Sequence, residues 1–269
     1  MERIATEPGP DPVVDSALLD ALPRQREVAQ TAAESGLPVA APAAVSVSAS
    51  TPAVPREPRL LPALRQLLPT PTGMPFTFGY AVLLVVTSLV AQYAAPALVN
   101  QLHQASSTDV AHLVHDPLLV LVASALWIVG GMLSPYAILF LLVLTALERR
   151  IGGVRAAGVF LFGHIVATLA TEGTVGIAVL AGHLPDSSLH RLDYGISFGV
   201  AASTGALAGL LRPWLGLPLI ALFGWTLVED LIEFTDPMTN WGHLIALTLG
   251  IATWPLIRRR QRAARLAAA

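Results

Sequence analysis

Residues 193–199 read Asp193-Tyr194-Gly195-Ile196-Ser197-Phe198-Gly199 and set one serine between glycines at the start of an apolar run. Far downstream, inside another apolar run, His243 follows Gly242. A serine hydroxyl is a poor nucleophile until a base takes its proton, and a lone imidazole in hydrocarbon is costly without a partner. One pairing answers both. From Ser197 the small residues Ala201, Gly205 and Ala208 recur at helical spacing, and from His243 come Ala246 and Gly250. Two helices presenting such faces approach closely and bring the hydroxyl and the imidazole together.

The surrounding composition says what kind of helices these are. Over 269 residues the chain is 54% hydrophobic and only 13% charged, with a mean hydropathy of +0.64. That is the balance of a polytopic membrane protein. Cysteine is absent, which excludes a disulfide framework, a thiolate metal site and a cysteine nucleophile. All 16 basic residues are arginine, a usage associated with GC-rich coding sequence and a bacterial source. No cofactor, metal or nucleic-acid partner is expected.

Residues 1–58 are rich in Ala, Pro, Ser and acidic residues, lack aromatics, and do not follow the charged-then-apolar pattern of a secretory signal. They read as a disordered cytoplasmic tail. Residues 59–74 form a juxtamembrane segment whose first part, 59–68, carries leucines at helix-like positions with Arg59 and Arg65 among them. It reads either as a short helix on the membrane surface or as a linker.

A membrane helix needs about 20 apolar residues, and six stretches meet or nearly meet this: 75–98, 132–147, 154–174, 194–211, 214–234 and 241–257. A further apolar stretch, 117–129, competes as a seventh. Arginine placement supports six, because short cytoplasmic loops are rich in basic residues. Arg56, Arg59 and Arg65 precede the first span, Arg149, Arg150 and Arg155 follow the second, and Arg212 follows the fourth. Arg258 follows the sixth, and Arg259, Arg260, Arg262 and Arg265 lie beyond it in a basic cytoplasmic tail over 259–269. With both termini in the cytoplasm, Ser197 and His243 fall at matching depth near the outer surface.

These residues resemble the rhomboid family of intramembrane serine proteases. That family has a Gly-x-Ser-Gly serine near the outer end of its fourth span with a glycine eight positions on, matched here by Gly195, Ser197 and Gly205. Its histidine on the sixth span is followed by small residues three and seven positions later, matched by His243, Ala246 and Gly250. A Glu-x-Arg-x-Gly turn after the second span is matched by Glu148, Arg150 and Gly152. The resemblance covers about residues 76–260. It implies an all-α bundle of six transmembrane helices with a partly embedded first loop, over 75–258. It also implies a Ser197/His243 dyad that cleaves transmembrane protein substrates at the outer face of a plasma membrane.

The chain also departs from the family pattern. The positions where many rhomboids carry a His and an Asn that help bind the oxyanion fall on Met132 and Tyr136. The glycine expected after the serine is Phe198, the aromatic that often packs on the histidine is replaced by Ala201, and a loop tryptophan-arginine pair is missing. Substitute donors are the N–H groups of Ser197 and Phe198 or the Tyr136 hydroxyl. Asp193, four residues before Ser197, is placed to cap the fourth helix. A catalytically silent relative that binds transmembrane clients is therefore the second reading, and a small transporter or metal-handling protein using polar residues of the third and fifth helices the third. Of the remaining polar residues, His164 and Glu172 share one helix face, with His164 read as a packing hydrogen-bond partner. Glu229, Asp230 and Glu233 read as a solvated helix end, with Asp230 or Glu229 polarising the site as the alternative. His103, Asp109, His112, His115 and Asp116 read as solvated loop residues, with only a weak metal signal.

Overall fold

The computed structural model describes residues 68–234 and 236–267. The tail expected over 1–58, and all of the 59–68 segment but Leu68, lie outside them. The described chain is helical: α1 (Pro75–Tyr93), α2 (Pro96–Ala105), α3 (Val110–His115), α4 (Pro117–Ser124), α5 (Pro135–Leu139), a π-helical turn (Phe140–Leu144), α6 (Thr145–Ile151), α7 (Gly153–Leu180), a 3-10 turn (Asp186–His190), α8 (Ser197–Ala208), α9 (Pro213–Glu233), α10 (Pro237–Ala252) and α11 (Trp254–Ala267). Proline recurs at helix starts, where its fixed φ suits the first turn and its missing N–H costs nothing.

Three helices, α1, α7 and α9, are long and apolar enough to cross a bilayer, and α8 is a shorter apolar helix. The protein is thus a multi-pass membrane protein. Several expected boundaries move for identifiable reasons. The first stretch stops at Tyr93, where the cap residue Ala94 turns extended (ψ 163°) and Ala95, preceding Pro96, stays out of the helical region (ψ 132°). The 117–129 stretch yields only α4, which at 8 residues is far too short to span. The last stretch breaks at Thr253, and most of the expected basic tail is helix α11. Arg258 there donates to the Gly209 carbonyl (3.0 and 2.8 Å), and Trp254 Nε1 donates to the Gly205 carbonyl (2.8 Å).

Glu148, in the turn matched to the rhomboid pattern, has a structural task. Its carboxylate accepts from Phe76 N (3.0 Å), Thr77 N (2.7 Å) and the Thr77 hydroxyl (2.6 Å). It satisfies N–H groups that the start of α1 leaves without helical partners. Gly152 closes the turn at φ +83°, a value that side-chain-bearing residues rarely adopt.

At the centre lies α8, in which every residue except Ser197 is buried. A helix apolar on all sides belongs inside other helices, and α7, α9, α10 and the π turn surround it. Its closest approach is to α10. A Cβ on Gly205 would run into the Leu247 carbonyl oxygen and lie 3.1 Å from Ile251 N. One on Gly250 would strike the Ala202 backbone. Ala201 and Ala246 are fully buried on the same two helices.

Candidate functional site

The short loop before α8 is fixed by backbone ties. Gly195, at φ +132°, donates its N–H to the Ser124 carbonyl (2.9 Å). Asp193 O accepts from Thr108 N (2.7 Å), and Asp193 N donates to Ser107 Oγ (3.0 Å). The first loop is thereby stitched to the serine loop. Asp193 does not cap α8, because the residue at the cap is Ile196 and makes no side-chain bond. The Asp193 carboxylate instead accepts from the Thr108 hydroxyl (3.1 Å). Burial pushes this carboxyl above the usual carboxylate range, against the opposing pull of the Arg191 charge and the Thr108 bond.

Ser197 and His243 both line one cavity of about 500 Å³, together with Tyr136, His164, Phe198 and Asp193. That volume lies within the range of small-molecule clefts. No hydrogen bond joins Ser197 to His243. The His243 ring is buried (5% exposed), and neither of its nitrogens has a hydrogen-bond partner among the described residues. Leaving such a group unpaired costs about 1–3 kcal/mol. Aromatic surfaces hold the ring instead: Tyr136 stacks on it at 5.1 Å and Phe198 meets it edge-on at 5.2 Å. The aromatic neighbour missing at Ala201 is thus supplied from two other positions.

Phe198 finds room because of a second glycine. A Cβ on Gly242 would collide with the Phe198 ring and lie 3.0 Å from Thr171 Cγ2. Ser197 occupies the first turn of α8, where no acceptor among the described residues meets the N–H groups of Ser197, Phe198 or Gly199. Such N–H groups at a helix start carry partial positive charge suited to a developing oxyanion. Met132 is exposed and borders a different cavity, with Trp127 and Tyr194.

A second serine and histidine meet beside the first. His164 Nε2 lies 3.1 Å from Ser124 Oγ and 3.1 Å from the Leu121 carbonyl oxygen. A carbonyl only accepts, so this network assigns the proton to Nε2 and leaves Nδ1 as a bare acceptor. Nε2 therefore cannot deprotonate Ser124. The pair fastens α7 to the first loop, the packing role read from the sequence, while His164 also borders the Ser197 cavity.

Sequence reasoning missed Arg191. Its guanidinium pairs with the buried Glu172 carboxylate (2.6 Å) and reaches Asp236 (3.2 Å) and the Thr239 hydroxyl (3.2 Å). Asp236 in turn caps α10 through Thr239 N (3.3 Å), so one arginine ties α7 to the start of the histidine helix. The clue in the sequence was a glutamate deep in an apolar run with no partner on its own helix. Glu229, Asp230 and Glu233 are exposed and do not line this cavity. Asp109 is buried, not solvated, and accepts from His112 N (3.0 Å) and pairs with His112 Nδ1 (2.8 Å). Among the described residues no group of three His, Asp or Glu side chains is arranged to hold a metal.

A family model described as rhomboid-like protein matches residues 72–263. No curated protein and no solved structure matches the chain.

Proposed function

The chain belongs to the rhomboid-like protein family, and from that premise we propose that it is an intramembrane serine endopeptidase with Ser197 as nucleophile and His243 as base. The observation that carries this reading is the buried, unpartnered His243 imidazole bordering the same cavity as Ser197, the one residue of α8 that is not buried. In the reaction His243 takes the Ser197 proton as Oγ attacks a peptide carbonyl carbon. The resulting oxyanion is met by the free N–H groups of the first turn of α8. Collapse expels the amine, which takes the proton back from His243, and water then hydrolyses the serine ester. Tyr136 and Phe198 hold the imidazole, and Gly195 shapes the loop that presents the serine.

The substrates are transmembrane segments of other proteins, unwound to reach a site at membrane depth. Six spans with both termini in the cytoplasm of a bacterial plasma membrane fit the arginine distribution, with the 135–151 helical run, α8 and α10 completing the three longer helices.

A second reading, a catalytically silent protein that binds transmembrane clients, is favoured by Phe198 in place of a glycine and by the missing bond between Ser197 and His243. Labelling of the purified full chain with a fluorophosphonate probe separates the two. The protease reading expects labelling that Ser197→Ala abolishes and His243→Ala reduces by at least about 100-fold. Labelling that survives Ser197→Ala would overturn Ser197 as the nucleophile, and none under conditions that label an active serine protease of this family favours the binding protein.

A further inference from the structure

At the end of the bundle that carries the arginines lies a second cavity, of about 710 Å³, unconnected with the Ser197 site. Its lining combines two chemistries. Arg150, Arg155 and Arg260 supply three cations, while Val159, Phe162 and Leu256 supply apolar wall. Arg150 and Arg155 come from the α6–α7 junction and Arg260 from α11, so the cavity lies between elements distant in sequence. Arg155 spends one donor on the Ile151 carbonyl (3.2 Å), out of the five that a guanidinium carries. Neither Arg155 nor Arg260 pairs with a carboxylate among the described residues.

A ligand matching this lining needs an anionic head that several guanidinium groups can share, and apolar chains that continue from it. Arginine forks suit phosphate oxygens, and basic pockets between membrane helices hold anionic lipid heads. A free phosphate would leave the apolar wall unmatched, and a neutral lipid would leave Arg155 and Arg260 without an anion. We propose that this cavity binds one anionic phospholipid of the adjoining leaflet, its phosphate among Arg150, Arg155 and Arg260 and an acyl chain along Val159, Phe162 and Leu256. The bound lipid then fastens α11 to the α6–α7 turn. This inference rests on the protein being a multi-pass membrane protein and is independent of whether Ser197 is reactive.

Native mass spectrometry of the full chain in mild detergent, titrated with phosphatidylglycerol or phosphatidylcholine, tests it. The expected result is one phosphatidylglycerol molecule retained in preference to phosphatidylcholine. Arg155→Gln with Arg260→Gln should weaken that binding about 30-fold, equivalent to roughly 1 kcal/mol for each arginine. Gly158→Leu keeps every charge and fills the cavity from a position where a new Cβ meets nothing within 4 Å, and it should also reduce retention. Arg149→Gln with Arg212→Gln, which removes the same charge elsewhere, should leave retention unchanged. Equal retention of the two lipids, wild-type binding by the Arg155/Arg260 variant or by Gly158→Leu, or an equal loss in the Arg149/Arg212 variant would overturn the proposal.

Discussion

Substituting alanine for Gly205 tests the close contact between α8 and α10, the helices that carry Ser197 and His243. The added Cβ would meet the Leu247 carbonyl oxygen, with Ile251 N at 3.1 Å and the Gly250 carbonyl carbon at 3.3 Å. All three are backbone atoms, so no rotamer change relieves the clash and α8 must move away from α10. Overpacking of this kind costs about 3 kcal/mol at the upper end of its usual range. Alanine's better helix propensity returns about 1, leaving about 2 kcal/mol of net destabilisation. For a chain of this size that lowers the unfolding midpoint by roughly 4–8 °C. Ala206, next along α8, is itself fully buried and serves poorly as a control. Gly173→Ala is the better one, since a Cβ there meets nothing within 4 Å, and that variant should be neutral or stabilised by up to about 1 kcal/mol. Thermal unfolding of both variants in mild detergent, followed by tryptophan fluorescence, makes the comparison. Equal midpoints would refute the backbone contact, and with it the argument that α8 and α10 hold their polar residues at one depth.

Arg191→Gln should destabilise the protein by about 3 kcal/mol because it leaves the buried Glu172 carboxylate without its cation, and adding Glu172→Gln should recover part of the loss. Purely additive effects in that double-mutant cycle would argue against the pair. Asp193 is expected to give the stability a pH dependence. Its folded pKa is raised, so its contribution is full below the unfolded carboxylate pKa of about 3.9 and is lost as pH rises through the higher folded value. Over that window Asp193→Asn should flatten the wild-type decline, and identical curves would show that the carboxyl does not titrate as described. Reporter fusions at Met1 and after Ala269 should both read cytoplasmic, and opposite readings would remove the equal depth of Ser197 and His243.

Small residues and lone polar groups made much of the bundle legible in the sequence. The stripe through Ala201, Gly205, Ala246 and Gly250 has one economical use in a membrane, namely close helix packing, and those glycines meet backbone across α8 and α10. Boundaries were less legible because hydropathy does not record where the chain turns. Residues 194–196 are as apolar as the helix that follows, yet the positive φ of Gly195 and its bond to Ser124 keep them in a loop. Arg191 and Asp193 escaped for another reason. Each takes its role from residues on other elements, Glu172 and Asp236 for the arginine and Thr108 for the aspartate, and local spacing around Arg191 and Asp193 does not announce such partners.

The same kind of distant exchange bears on Phe198. Compared with the rhomboid pattern, a phenylalanine after the serine reads as a departure that fills space meant for the site. In the fold its ring is accepted by Gly242, the residue just before the histidine, where any side chain would collide with it. The ring edge then lies against His243, the contact that the resemblance would place one turn further along, at Ala201. Bulk has therefore moved within the site and has not simply been added to it. Aromatic faces fix where an imidazole sits without using either nitrogen, and both ring nitrogens of His243 are without a hydrogen-bond partner among the described residues. His164, bordering the same cavity, differs in this respect, since its Nε2 meets the Leu121 carbonyl oxygen, as buried polar groups generally find a partner.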